Sequence, residues 1–187
     1  DIVPQTHEAS HRTLAVAAHR ALRAAGHVVD VVGDDADLTG YELVVLPAFH
    51  RVTPARLATV EAALEAGVTV VVGPRSLVRD DDAVWVDTAT PSGLTGRLGA
   101  LVDRDGSPRG WPRDTPPSRV RIGDAEPCDA GPWLETLEVQ DDDVAVLGSA
   151  VGGPLDGAPV AVRRGGLVLM GASSSQAWTS LLNNIQR

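Results

Sequence analysis

Lysine is absent from this 187-residue sequence, and cysteine, methionine, tyrosine and phenylalanine occur once each. Cys128 alone cannot form an internal disulfide, and a chain without disulfides reads as intracellular, here as cytoplasmic. Aromatic residues make up only 3%, so the core must be aliphatic, and so few rings argue against a carbohydrate-binding face of stacked aromatics. No apolar run approaches the ~20 residues that span a bilayer, which argues against a membrane partner. The opening Asp1-Ile2-Val3-Pro4 has neither the basic nor the apolar region of a signal peptide. Positive charge is also short. Sixteen basic residues, all arginine, face 25 acidic ones, giving a net charge of -9. Such a surface does not grip phosphate backbones, so nucleic acid is excluded as a partner. The arginine-only pattern fits a GC-rich genome, and guanidinium groups favour bidentate ion pairs.

What is present fits one soluble globular domain: 43% hydrophobic and 22% charged residues. Residues 10–25 (SHRTLAVAAHRALRAA) predict a helix capped by Ser10 and stopped by Gly26. A β-branched run, residues 27–32 (HVVDVV), follows, then a polar turn and a second apolar run at 41–47 (YELVVLP). Thr53-Pro54 supplies an N-cap and a proline at the first helical position, for a helix over 54–66 closed by Gly67. Residues 68–73 (VTVVVG) make a third strand. Continuous apolar strands alternating with helices predict a three-layer α/β fold with a mostly parallel sheet. From about 80 to 131 the chain is rich in Pro, Gly, Asp and Arg, and reads as a loop-rich excursion with a short helix near 93–100. Strands are expected again at 144–151, 159–164 and 167–172, the last two joined through Gly165-Gly166 as a hairpin. A helix at about 174–186 completes the domain, taken as residues 1–187. A doubly wound sheet also needs a central strand before its first helix, and Ile2-Val3-Pro4 is too short for one. The expectation is a chain whose first strand is missing.

Candidate chemistry is sparse. His7-Glu8-Ala9-Ser10-His11 matches H-E-x-x-H, which on a helix would place two imidazoles toward zinc with Glu8 as general base. Here Pro4 and the cap at Ser10 put the motif at or before a helix start, and no third ligand follows at a suitable spacing. His7 and His11 are therefore the candidate metal ligands, but no metal site is assigned. The turn after the third strand, Gly73-Pro74-Arg75-Ser76, is where an amidotransferase would carry a nucleophilic cysteine, and it has none. Ser76 reads as a turn or cap residue, because no histidine is placed to activate it. Cys128, between Pro127 and Asp129, reads as inert. The runs 80–82 and 141–143 are triple aspartates without calcium-loop spacing and read as solvated turns. Gly33, Gly73 and Gly171 follow strands without a dinucleotide or P-loop pattern, so no cofactor is expected.

One stretch carries a resemblance. The elements Ala21-Leu22-Arg23-Ala24-Ala25-Gly26, then 27–32 (HVVDVV), then Asp37-Leu38-Thr39-Gly40-Tyr41 leading to Val45-Leu46-Pro47, stand in an order and spacing that resemble a known domain. It is the trimerisation (middle) domain of glycoside hydrolase family 42 β-galactosidases. Residues 57–73 and the Gly153–Gly166 region extend the match. The resemblance implies a class I glutamine amidotransferase-like (flavodoxin-like) fold without its catalytic cysteine, and self-association into a homotrimer. It also implies a neighbouring (β/α)₈ barrel, in a bacterial parent that hydrolyses terminal β-D-galactosides by a retaining mechanism. A barrel needs ~250 residues, so none of the seven glutamates present is assigned a catalytic role. The other readings are a stand-alone amidotransferase-like α/β enzyme, a small-ligand-binding domain, and a zinc hydrolase acting through His7 and His11.

Overall fold

The computed structural model describes residues 10–33, 35–106 and 119–186. Ile2, Val3, His7 and Glu8 lie outside the described residues. Helix α1 (His11–Ala24) starts where expected: the Ser10 hydroxyl accepts the Thr13 N–H, and Gly26 closes the helix with φ +89°. Leu14, Ala18 and Ala21, spaced at helical i, i+4, i+7, form its buried face. Strand β1 (Leu43–Leu46) leads to α2 (Pro54–Glu65), whose Thr53 cap accepts the Arg56 N–H at 3.2 Å, and then to β2 (Thr69–Val72).

The region expected as loops builds more than that. It holds α3 (Thr95–Leu98), β3 (Ala100–Gly106), β4 (Arg119–Ile122) and β5 (Cys128–Asp129). Strand β6 (Leu134–Val139) follows, then β7 (Ala145–Val151), β8 (Pro159–Arg164), β9 (Leu167–Met170) and α4 (Ser175–Ile185). The main sheet has seven strands in the order β1-β2-β9-β8-β7-β4-β5, and β3 pairs with β6 in a separate two-stranded sheet.

The sheet is mixed. Strands β1, β2 and β9 are parallel, and β1 and β2 are joined by the α2 crossover. The β9-β8, β8-β7, β7-β4 and β4-β5 pairings are antiparallel. The physical reason is connection length: β8 turns into β9 through Gly165-Gly166, and so short a link permits only an antiparallel neighbour. A second difference concerns residues 27–32, which pair with no strand among the described residues. Without a ladder, the β-branched composition alone does not make a strand.

Three layers result. One core lies between the sheet and helices α1 and α4, drawing on Ala18, Val71, Val168, Met170, Trp178 and Leu182. The other lies on the opposite face, where Val70, Val72, Leu167 and Leu169 meet Val60 of α2, Leu98 of α3 and Leu137 of β6. Adjacent residues of β2 thus enter opposite cores, the period of two that a strand dictates. No helix among the described residues is long and apolar enough to cross a membrane.

Trp178 is the largest fully buried side chain and sits where α4 meets the sheet. Trp178→Ala should cost about 3–5 kcal/mol, read as a lower urea midpoint with an unchanged slope. A loss under about 1 kcal/mol would mean that α4 is not integral to the core.

Candidate functional site

In an open α/β sheet the chemistry, if there is any, gathers at the carboxyl ends of the parallel strands. Here those ends are the loop after β1 (residues 47–50), the turn after β2 (residues 73–77) and the exit of β9 (residues 171–174). The first two are knitted together by hydrogen bonds, and β6 links the turn after β2 to the exit of β9. The Ser76 hydroxyl, buried, accepts the Phe49 N–H at 2.8 Å and donates to the Leu46 carbonyl at 3.1 Å. Both bonds go to main chain, so Ser76 splints two loops, as its reading as a turn residue anticipated. Ala48, Arg75 and Leu77 hold positive φ of 53°, 61° and 55°, a left-handed conformation that non-glycine residues adopt only when their surroundings impose it.

Beside the turn lies a buried carboxyl that the sequence reading passed over. Glu135 Oε1 accepts the Arg75 N–H at 2.7 Å and the Trp133 indole N–H at 3.1 Å. Burial pushes its pKa up to about 7, opposed by those two hydrogen bonds, while the charge of Asp105 adds to the rise. The Arg75 guanidinium lies over the Trp133 ring at 4.6 Å. Burial lowers its pKa, with the Glu135 charge acting the other way. Gly171 faces this group so closely that an added Cβ would stand 2.2 Å from the Glu135 carbonyl oxygen. Ser173 completes the set, accepting the Trp133 N–H at 2.9 Å and donating to its carbonyl at 2.7 Å. No local signal announces the cluster: Trp133 directly precedes β6, and Glu135 stands among Leu134, Thr136 and Glu138 without an apolar alternation.

The histidines are placed separately. His11 Nδ1 lies 3.0 Å from the Ala48 carbonyl, which only accepts, so that nitrogen carries the proton. Its ring stands edge-on to His50 at 5.9 Å. Burial, with Arg75, His11 and Arg79 nearby, lowers the His50 pKa to about 4, so His50 is neutral near pH 7. His7, the other candidate metal ligand, falls outside the described residues. Among the described residues no group of three or more His, Cys, Asp or Glu is arranged to hold a metal ion.

The remaining candidates serve the fold. Cys128 is half-buried, and burial raises its thiol pKa, which makes it a poorer nucleophile. Asp80 accepts the N–H groups of Asp82 and Val84 at 3.0 and 2.9 Å and so closes its own turn. Asp141 and Asp143 both pair with Arg164 at 2.9 Å. Gly73 gives way to packing: a Cβ there would meet the Trp178 ring at 2.9 Å.

The turn after β2 thus presents a buried hydroxyl satisfied by main chain. The model of the β-galactosidase trimerisation domain family matches residues 1–186. The chain belongs to that family. A β-galactosidase, Bga, of Halorubrum lacusprofundi is 34% identical over 170 residues, which cover 85% of this chain and 23% of that protein. The solved β-galactosidase of the same Antarctic haloarchaeon aligns over 98% of this chain and 27% of its own, with a TM-score of 0.84 and 28% identity. The psychrophilic Marinomonas ef1 β-galactosidase aligns over 98% and 26%, with a TM-score of 0.80, at an identity of 23% that speaks for the fold alone. This trimerisation-family chain therefore spans about a quarter of the length of these relatives.

Two outcomes follow from this geometry. Glu135 has a folded pKa near 7 against 4.5 for the free group, so the folded state binds the proton more tightly. Its contribution is present below pH 4.5 and is lost as pH rises through 7, on the order of 3 kcal/mol in all. Glu135→Gln, which keeps an acceptor oxygen for Arg75 and Trp133, should flatten that fall in a urea series from pH 4.5 to 8. An unchanged slope would place the titrating group elsewhere. Ser76→Ala leaves the Phe49 N–H without its acceptor and should lower stability by about 1–3 kcal/mol.

Proposed function

We propose that this domain is a non-catalytic assembly module of a β-galactosidase, associating as a homotrimer beside a catalytic (β/α)₈ barrel carried by the same parent chain. The observation that supports this most is the family match over residues 1–186 on a fold whose strand-end turn is closed by main-chain bonds. In this reading the two carboxylates of a retaining glycosidase belong to the barrel, and the parent hydrolyses terminal β-D-galactosides. Glu135 is no candidate for that work, because its carboxyl is buried and committed to Arg75 and Trp133.

The parallel half with its turn after β2 supports a glutamine amidotransferase-like ancestry for the fold, with the catalytic elbow turned to structural use. A ring of three requires a heterologous contact, two different patches on each copy that complement one another. Trp85, 45% exposed beneath the Arg79 guanidinium, and exposed Val84 supply an apolar patch suited to one side of such a contact. The lone cysteine supports a cytoplasmic setting, and the net charge of -9 supports neither nucleic acid nor an anionic membrane as partner.

Light scattering over a concentration series tests the assembly. The expected mass is about three times 19.5 kDa, falling toward the monomer on dilution. A monomer at every concentration would remove self-assembly from this domain and assign it to the barrel. Trp85→Asp should shift the same equilibrium toward monomer by tenfold or more, without lowering thermal stability measured on the monomer.

A further inference from the structure

Beyond the carboxyl ends of β1 and β2 the two chain segments stay side by side. The Arg79 N–H donates to the His50 carbonyl at 3.0 Å, and the Arg79 carbonyl accepts the Val52 N–H at 2.7 Å, so Arg51 and Arg79 are parallel partners. The chain then folds back as a hairpin. The Asp80 N–H reaches the Val84 carbonyl at 2.9 Å and the Val86 N–H reaches that of Val78 at 3.1 Å. Arg79 and Trp85 are thereby an antiparallel pair of the kind without mutual hydrogen bonds, whose side chains come closest. Partners across a ladder project from one face, so Arg51, Arg79 and Trp85 stand in a row. The Arg79 guanidinium lies over the Trp85 ring at 5.1 Å, and it is anchored there by a 2.7 Å bond to the Ala83 carbonyl.

That row is electrostatically incomplete. Like charges on directly opposed partners repel, and with 25 acidic residues against 16 basic ones this chain has carboxylates to spare. Arg164 holds two of them, Asp141 and Asp143. Among the described residues, however, neither Arg51 nor Arg79 forms an ion pair. Carboxylates stand close by in sequence. Asp80 is spent on closing its own turn, but Asp81 and Asp82 are exposed at the hairpin tip, also without an ion pair among the described residues. One hairpin thus joins a cationic base to an anionic tip, with Val84 and Trp85, 59% and 45% exposed, between them. Arginine and tryptophan are the residue types that dominate contact energies at interfaces.

We propose that the hairpin at 79–86 is a self-docking element: the Asp81-Asp82 tip of one copy seats between Arg51 and Arg79 of a second copy, against Trp85. This rests on the assembly reading above and names the two patches of its contact. A ring of three needs two different, complementary patches on every copy. Here both lie on one hairpin, which places it beside the threefold axis, where each tip reaches the base of the next copy. A carboxylate between the two guanidiniums relieves their repulsion and makes charge-assisted hydrogen bonds. Docking also covers Val84 and Trp85, so the ion pairs form where water is partly excluded. A single hairpin covers far less than the ~800 Å² per partner of a stable interface, so this contact is weak by itself and sensitive to salt.

Light scattering over a concentration series, on four proteins, tests the contact: the unmodified chain, Arg51→Glu, Asp81→Arg and the double variant. Each single variant should weaken association about tenfold, because every contact of the ring then sets like charges together. The double variant reverses all the contacts at once and should regain the association of the unmodified chain. Raising salt from ~50 to ~500 mM should weaken the unmodified assembly about tenfold as well. Arg51 and Asp81 are exposed, so thermal stability of the monomer should be the same in all four. Single variants that assemble like the unmodified chain, or a double variant no better than either single, overturn this contact and leave the assembly reading standing. Monomers in all four proteins overturn both. Single variants that keep the assembly but lose an acetate-induced shift of the Arg79 Nε–H resonance assign the row to a small carboxylate, and overturn the self-docking contact alone.

Discussion

The domain depends on β2, four residues that are committed on every side. Val70, Val71 and Val72 are at most 1% exposed, with β1 and β9 hydrogen-bonded to their two edges and separate cores on their two faces. Burial at about 25 cal/mol per Å² of apolar surface makes this the strand from which the others take position. Everything near the strand ends inherits that placement. The turn at 73–77 leaves a rigid strand, so the Ser76 hydroxyl can reach both Phe49 and Leu46, and the Arg75 N–H can reach Glu135.

Positive φ at Arg75 and Leu77 turns the chain sharply after β2, and the Ser76 hydroxyl between them is held by main chain of β1 and of the loop at 47–50. Buried polar groups pair here: Glu135 with the Arg75 N–H and the Trp133 indole, Ser173 with Trp133, Ser76 with main chain. A buried carboxyl near neutral pKa is less costly than a buried charge, and two donors hold it in one orientation. The antiparallel half is a different kind of object, built by hairpins and joined to the parallel half through the β9–β8 ladder.

Much of the fold was legible where local chemistry decides it. Ser10, Thr53-Pro54, Gly26 and Gly67 mark helix ends because they answer orphan backbone groups or a positive φ within a turn of their own position. The Gly165-Gly166 hairpin was legible for the same reason. The β-branched run at 27–32 was misleading, because strand formation needs a neighbour and none pairs with it among the described residues. Strand β6 was unread, since Glu135 and Thr136 interrupt its apolar pattern. Of the site, the empty elbow was visible as a missing cysteine, whereas Glu135, Arg75, Trp133 and Ser173 are up to about a hundred residues apart and no spacing announces them.

By itself, then, the sequence determined the α/β class, the helix limits, the aliphatic core and the absence of a nucleophile at the turn, all properties set by residues within a few positions of each other. Family membership could be seen there too, because a run of such local elements in a set order is itself a sequence property. Only the tertiary structure decided which strands are parallel and that Ser76 and Glu135 tie loops together. Those depend on which distant backbone edges meet and what water they exclude, and a linear sequence carries that only implicitly.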